Sequence, residues 1–312
     1  DTVAPQITVL DQEKGFTQEL LLGQNYQIPK AKVTDNSNGK TKLKISTDLN
    51  LQQVGTYELV YTATDESDNL GVFIIKIKVL DNKVLTENQV ILNQSSSSIN
   101  GRLKKENDST YIFQGIDPNN YVLYQKELWR ILRLDQNGMK LIKNGMINKM
   151  AWSSNANSVY YNSDVKKLLR SYQGTFIEDV LNRDVEWNIG SVDLINSLPI
   201  DQIIKSETSL QDEEGIWVGL PQVSDYLQAS SRVECLSQYS NCNLDNYLSR
   251  SYRYFTAHAM KDGNKRILVG TKGLELSSPF ESVGVVTVIY LKGYKTVQGT
   301  GTLKDPYTLV YP

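Results

Sequence analysis

The strictest constraint in this sequence is a period-two alternation between residues 55 and 79. Tyr57, Leu59, Tyr61 and Ala63 fall on one face of an extended chain, and Phe73, Ile75, Ile77 and Val79 do the same while Lys76 and Lys78 take the other face. Leu43 and Ile45 alternate with Lys42 and Lys44, and Ile7 with Val9 form a first short strand. Helical winding would scatter such a pattern around the whole circumference, so these segments are strands. Turn chemistry separates them at Asp35-Asn36-Ser37-Asn38-Gly39 and at Asp65-Glu66-Ser67-Asp68-Asn69. About six or seven short strands spaced this way, with no helical period among them, define a β-sandwich.

Four blocks in order carry a resemblance. They are Asp1-Thr2-Val3-Ala4-Pro5-Gln6-Ile7, Thr34-Asp35-Asn36, Val54-Gly55-Thr56-Tyr57, and Tyr61-Thr62-Ala63-Thr64-Asp65 running on to Asn69. Together they resemble the bacterial Ig-like repeat of surface proteins. The resemblance implies an all-β Ig-like sandwich over residues 1–81, serving as a spacer or stalk. Asp68-Asn69 departs from the Gly-Asn usual in that hairpin turn, yet Asp and Asn also tolerate positive φ. Asp35, Asp65 and Asp68 are oxygen donors of the kind calcium takes. Their place in tight turns makes local backbone capping the expected role, and no metal or cofactor is expected. The sandwich lysines alternate outward, so no Lys–Asn isopeptide crosslink is expected there.

At 312 residues the chain exceeds one ordinary core. Its 33 basic and 35 acidic side chains are interspersed and give a net charge of −2, which leaves no basic face for a nucleic-acid backbone. The 18 tyrosines against 6 phenylalanines, with much Asn and Ser, suit exposed β and loop structure. Cys235 and Cys242 lie in a polar, turn-like stretch and read as a local disulfide contributing roughly 2–3 kcal/mol. A metal pair would need further soft ligands, and His258 is the one histidine. The disulfide implies an oxidising, extracytoplasmic compartment. The longest apolar run, 283–291, falls short of the ~20 residues of a spanning helix. The expectation is an ectodomain whose leader and membrane or wall anchor lie in segments outside this sequence.

Residues 82–106 shift to a polar junction containing the run Ser95-Ser96-Ser97-Ser98, with a strand-like Val90-Ile91-Leu92 before it. From residue 107 the pattern is mixed. Tyr121–Tyr124 and Glu127–Leu134 are strand-like, the latter with a slip at Ile131, and Asp135-Gln136-Asn137-Gly138 turns the chain into Met139–Ile142. Val165, Leu168, Leu169 and Tyr172 fall on one helical face after Asn162-Ser163-Asp164. Thr175-Phe176-Ile177-Glu178 fits a capping box, and shorter helical segments are predicted at 200–204, 223–227 and 244–248. Strands return at 267–270, 283–291 and 307–311. Without a βαβ rhythm, this is an α+β domain over 107–312.

A second resemblance rests on Asn119-Asn120-Tyr121-Val122, Leu128-Trp129-Arg130-Ile131, the stretch Val218-Gly219-Leu220-Pro221-Gln222-Val223-Ser224-Asp225-Tyr226-Leu227, and Gly299-Thr300-Gly301-Thr302 with Asp305-Pro306-Tyr307. These look like a surface and prepilin-associated domain of Firmicutes, and the order of elements is similar to a C-type-lectin-like fold. Phe255 stands where that family usually has Trp, and Val286-Thr287 where it has Arg-Pro. The resemblance implies an extracellular location on a Gram-positive cell.

Catalytic motifs are few. His258 lacks a metal partner and reads as a surface or satisfied histidine, and no Gly-x-Ser-x-Gly elbow is present. Gly299-Thr300-Gly301-Thr302 lacks the end of a phosphate loop and reads as a turn. Asp212-Glu213-Glu214 reads as a solvated acidic loop rather than an acid–base pair. Trp129 and Trp217 are expected in the core, and Trp152 is the candidate exposed ring for ligand binding. The sequence therefore predicts no catalytic residues. It predicts adhesion or ligand binding through residues 200–260, with a host or cell-surface protein or glycan as partner. A pilus or wall subunit is the alternative, and a hydrolase using Asp212 or Glu214 stands behind both.

Overall fold

A computed structural model describes residues 1–10, 17–24, 26–37, 39–81, 87–94, 100–107, 109–154, 162–176, 180–185, 187, 189–192, 194, 198–208, 216–236, 242–261, 264–294 and 296–311. The serine run 95–98 and the acidic stretch 212–214 lie outside these residues. The chain divides into two compact units, Asp1–Asn82 and Lys83–Pro312.

In the first unit, β1 (Gln6–Val9) pairs antiparallel with β3 (Ala31–Thr34). A second sheet runs β2 (Thr17–Leu21), β6 (Leu70–Leu80), β5 (Gly55–Thr64), β4 (Lys42–Thr47), with β2 parallel to β6 and the other pairs antiparallel. The alternating residues meet between the sheets: Ile7 and Val9 face Leu59, Tyr61, Ala63, Phe73, Ile75 and Ile77. Tyr61 crosses the layer edge-on to Phe73 and donates its hydroxyl to the Pro29 carbonyl at 2.8 Å, so its one polar atom is satisfied. Asp68 adopts φ 61°, the left-handed turn its sequence position required.

The second unit is β-rich. Its first six-stranded sheet has the order β18 (Val288–Leu291), β11 (Gly138–Lys143), β10 (Glu127–Asp135), β8 (Thr110–Gly115), β7 (Gly101–Asn107), with β9 (Tyr121–Tyr124) also paired to β10. The second has the order β12 (Asn148–Met150), β17 (Val283–Val285), β14 (Tyr254–Met260), β15 (Arg266–Gly270), β16 (Gly273–Ser277), with β13 (Gly190–Val192) beside β14. The run 283–291 is thus two strands. It leaves one sheet at Val285, passes through the buried pair Val286-Thr287, and enters the other at Val288. A last hairpin, β19 (Thr296–Gln298) with β20 (Thr308–Val310), closes the chain.

Helices are short: α1 (Gln89–Gln94), α2 (Asp164–Gln173), α3 (Ile200–Thr208) and α4 (Val223–Gln228). Ser163 caps α2, its hydroxyl accepting from the Lys166 amide at 3.1 Å. Val90-Ile91-Leu92, read as strand-like, belongs to α1, because a short apolar run has no period to separate helix from strand and Ile91 is drawn into the head core. With β7, this helix makes part of the expected junction an integral piece of the head. Residues 244–248 are not helical. Asn246 instead forms isolated bridges to Gly115 and Ser230. The helix expected from Thr175 lies partly outside the described residues, and Leu181 bridges Leu291 as extended chain. None of the described helices is long and apolar enough to cross a membrane.

Gly301 shows why the Gly-Thr-Gly-Thr segment is a turn. It sits at φ 71°, its carbonyl accepts the Tyr121 amide at 2.9 Å, and an added Cβ would lie 2.5 Å from the Asn119 carbonyl oxygen.

All four tryptophans belong to the second unit, so their fluorescence reports it alone. Ile75→Ala removes a fully buried side chain of the first unit and is expected to cost it ~2–5 kcal/mol. In urea titrations, the transition seen by far-UV circular dichroism should split. Its early part should shift and the tryptophan transition should stay in place. A shift of both together would contradict the division into independent cores.

Candidate functional site

The bulge in β10 builds the site. Ile131 pairs with Leu141, but the register then slips and Arg133, rather than Leu132, pairs with Lys140. Lys140 in turn pairs with Tyr290 of β18. One extra residue therefore lines up Arg133, Lys140 and Tyr290 across three neighbouring strands. Two cations side by side on a sheet repel, so the arrangement needs anions above it.

The layer over the sheet supplies them. Asp225, in the first turn of α4, accepts from Lys140 Nζ at 2.8 Å through each carboxylate oxygen and also takes the Gln222 amide at 2.9 Å. Gln222 Oε1 accepts from the same ammonium at 3.2 Å, so Lys140 has three partners for its three protons. Both ions are buried, Lys140 at 2% exposure and Asp225 at 3%. Glu207, at the end of α3 and equally buried, accepts the Ser224 amide at 2.9 Å. On the sheet side, Tyr290 donates to Asp135 at 3.0 Å, and Arg133 Nη2 donates to Gln228 at 2.5 Å. The Tyr290 and Trp187 rings lie 5.9 Å apart, each within about 6 Å of the Lys140 ammonium.

Between these groups lies a recess of about 180 Å³, lined by Arg133, Asp135, Asn137, Lys140, Val185, Trp187, Ile204, Glu207, Gln222, Ser224 and Tyr290. Arg133 Nε is buried beside it and makes no hydrogen bond. Two broader hollows, about 410 Å³ around Arg102 and Asp245 and about 360 Å³ around Tyr252 and Arg253, bring together no comparable set of buried ions.

Burial dominates the electrostatics here. It pulls the Lys140 ammonium down, against the opposing pull of Asp225. It pushes Asp225 up, but the Lys140 and Arg133 charges outweigh it and hold that carboxyl low. Burial lifts Glu207 to about 7, against the opposing pull of its hydrogen bonds from Ser224. Desolvation opposes the Arg133 charge, but Tyr290, Asp225, Asp135 and Glu207 together raise it.

The residues singled out in the sequence fall elsewhere or into other roles. His258 is neither exposed nor satisfied. It is fully buried in β14, its two nitrogens make no hydrogen bonds, and Nδ1 lies 3.7 Å from Glu207. Burial, aided by Arg266, depresses it to about 3, so it stays neutral. Trp152 is corrected from an exposed ring to a core one. It is fully buried, edge-on to Phe255 at 5.2 Å, with the Arg266 guanidinium 3.4 Å from its ring centre. The polar neighbours that suggested exposure serve the start of α2: Ser154 N donates to Asp164 at 2.7 Å, and Asp164 N donates to the Trp152 carbonyl. Trp129 is buried and Trp217 half-buried. Cys235 and Cys242 are joined in a disulfide.

In the first unit, the Asp1, Asp35 and Asp65 carboxylates approach within 4.8 Å of one another, and Asp68 is not among them. Three oxygen donors suit a hard cation. Each also has a local partner: Asp35 takes Ser37 N at 3.1 Å, Asp65 takes the Ser67 and Asn69 amides, and Asp1 takes Asn36 Nδ2 and Val3 N. Hydrogen bonds from Asn69 hold Asp65 below the usual carboxylate range. Asp35 and Asp65 thus cap the backbone of their own turns.

Comparison with known proteins places the first unit. Residues 14–79 match the family described as bacterial surface protein, Ig-like domain. The N-terminal unit is thus an Ig-like domain of the kind bacterial surface proteins carry. No curated protein matches the chain in sequence. Among solved structures, the lipoprotein BT2262 from Bacteroides thetaiotaomicron is 15% identical, with 45% of this chain and 61% of that one covered and a TM-score of 0.20. The CBM51-2 in complex with GlcNAc and INT domains from Clostridium perfringens ZmpB is also 15% identical, with 47% of this chain and 30% of that one covered and a TM-score of 0.19. Likenesses of that size carry no argument about fold or ligand.

The Glu207 carboxyl gives a signed prediction. Its folded pKa of about 7 lies above the ordinary 4.5, so its contribution to stability is present below pH 4.5 and is lost as pH rises through 7. The loss is about 3 kcal/mol. Glu207→Gln keeps a neutral group and should gain stability relative to the parent across that interval, as read by tryptophan-monitored unfolding. His258 acts in the opposite sense, toward acid, and is common to both proteins. Parallel pH profiles would contradict the assignment.

Proposed function

We propose that this chain is an ectodomain of a Gram-positive surface protein, in which the Ig-like domain is a spacer and the head binds a ligand without chemically changing it. The recess over Arg133, Lys140 and Tyr290 carries the reading. It is a concave, fixed-charge site whose walls are held by buried hydrogen bonds, and one donor beside it, Arg133 Nε, has no partner. Its volume equals the liquid share of about six waters. That admits one sugar ring or one polar side chain, so the partner is a glycan end or a projecting group of a host or cell-surface protein. Trp187 and Tyr290 offer apolar ring surface, and Arg133 offers a fork for carboxylate or hydroxyl groups. The region 200–260 contributes through Glu207, Gln222 and Ser224, while the floor comes from the strands.

Binding rather than catalysis is supported by the histidine, buried and neutral, and by the cysteines, bonded to each other. A C-type-lectin-like classification of the head belongs to this proposal and rests on its order of elements: opening hairpin, helices, disulfide-bearing loop region, closing strands.

Glycan and matrix-protein arrays test the reading. Saturable binding that Arg133→Ala weakens by about 10- to 100-fold, with the circular dichroism spectrum unchanged, is the expected outcome. Absence of any saturable binding, with concentration-dependent self-association instead, would overturn it in favour of a structural subunit.

A further inference from the structure

The hollow of about 360 Å³ beside Tyr252 and Arg253 lies toward the β12 edge of the second sheet, and Gly284 sets its geometry. Lys149 of β12 pairs with Gly284 of β17, which in turn pairs with Tyr254 of β14. A Cβ on Gly284 would lie 2.9 Å from the Arg253 carbonyl oxygen and 3.4 Å from the Tyr252 ring. The bare glycine therefore lets both residues close on β17, and its amide donates to the Arg253 carbonyl at 3.0 Å. Lys149, Tyr252 and Arg253 are thereby gathered on one wall system by the sheet itself.

The acceptors at this hollow are taken, and the donors are not. Glu281, the one carboxylate among the lining residues, accepts from Arg253 Nη1 through one oxygen and from the Ser277 hydroxyl at 2.5 Å through the other. Those bonds hold it below the usual carboxylate range. Arg253 Nε lies 3.0 Å from Glu275 without the alignment of a hydrogen bond, and Nη2 bonds to no described residue. The Tyr252 oxygen accepts from Arg250 Nη1 at 2.5 Å, which leaves its own proton to donate. The exposed Lys149 ammonium has no ion-pair partner among the described residues. Charge agrees with this surplus. Lys149, Arg250, Arg253 and Lys272, the last next in the chain to the lining residue Thr271, stand against Glu275 and Glu281.

We propose that this hollow is a second binding site, for a sugar unit that carries a sulfate or carboxylate, with the anion held by Arg253 Nη2, the Tyr252 hydroxyl and the Lys149 ammonium. A charged oxygen makes charge-assisted hydrogen bonds to such donors, about twice as strong as those a neutral hydroxyl makes. The sugar ring follows from the rest of the lining. Ser251, Thr271 and Ser282 give and accept hydrogen bonds as ring hydroxyls require, and Met146 and the Tyr252 ring offer apolar surface. The volume is twice that of the recess over Lys140, enough for a ring together with its anionic substituent. A cationic group would meet only acceptors that Arg253 and Ser277 already occupy.

The site shares no lining residue with the recess, so mutation separates the two. Titration calorimetry of the full chain is the test, with three probes of one backbone: a sulfated disaccharide, a uronic-acid disaccharide and the neutral disaccharide. At least one charged probe should bind about 10-fold or more tighter than the neutral one, and that probe identifies the anion. Its affinity should fall as salt rises from about 0.05 M to about 0.5 M, because the donors are open to solvent. Arg253→Gln should weaken it by about 10- to 100-fold. Lys149→Glu changes an exposed side chain without an ion-pair partner, so it keeps the fold, and the reversed charge should weaken binding by about 10-fold or more. Arg133→Ala should leave this affinity unchanged. Charged and neutral probes bound alike, no saturable binding of either charged probe, or charged-probe binding that Lys149→Glu does not move would each overturn the proposal. Loss in Arg133→Ala with Lys149→Glu at parental affinity would assign the anion to the recess, sinking this site while the first reading stands.

Discussion

The head is organised around a charged pair that has no access to water. Lys140 and Asp225 tie the middle of one sheet to the first turn of α4, and much else follows from satisfying them. Gln222 takes the third ammonium proton, the Gln222 amide takes the spare lone pair of Asp225, and the aromatic faces of Trp187 and Tyr290 flank the charge. A buried pair is a weak source of net stability but a strict one of geometry, because either ion left alone costs several kcal/mol. The register of β10 on β11 and the seat of α4 on the sheet are therefore fixed together. The recess is the space left over once these ions are paired, and that explains why charged and polar groups line so much of it.

Much of the first unit was legible because a sandwich writes its core into alternate residues. Tyr57 to Ala63 and Phe73 to Val79 face inward as their spacing required, and the Asp68 turn adopts the backbone its residue type allows. The head was legible in parts. The Asp135–Gly138 hairpin and the helix starting after Ser163 announce themselves through local turn and cap chemistry. The slip at Ile131 was visible as a fault in alternation, and it is the bulge that brings Arg133 beside Lys140.

What the sequence concealed is non-local. Lys140 and Asp225 are ordinary surface residue types, far apart in the chain, and only the sheet order and the packing of α3 and α4 bring them into contact. Trp152 misled for a related reason. Its serine and asparagine neighbours look solvent-facing, yet Ser154 is engaged with the start of α2, and the ring turns inward onto Phe255. His258 sits on a strand whose seven residues are all buried, a state that no single residue type in Tyr254–Met260 discloses. Burial on both faces removes the alternation that marks a half-exposed strand.

The central claim is that one buried pair holds the head's sheet and helix layer together, and a double-mutant cycle measures it directly. Tryptophan-monitored unfolding of Lys140→Ala, Asp225→Ala and the double variant should show each single change costing about 3–5 kcal/mol, with the double costing far less than their sum. Small and additive losses, below about 1 kcal/mol each, would mean that the layers are held by apolar packing alone, and the account would fail.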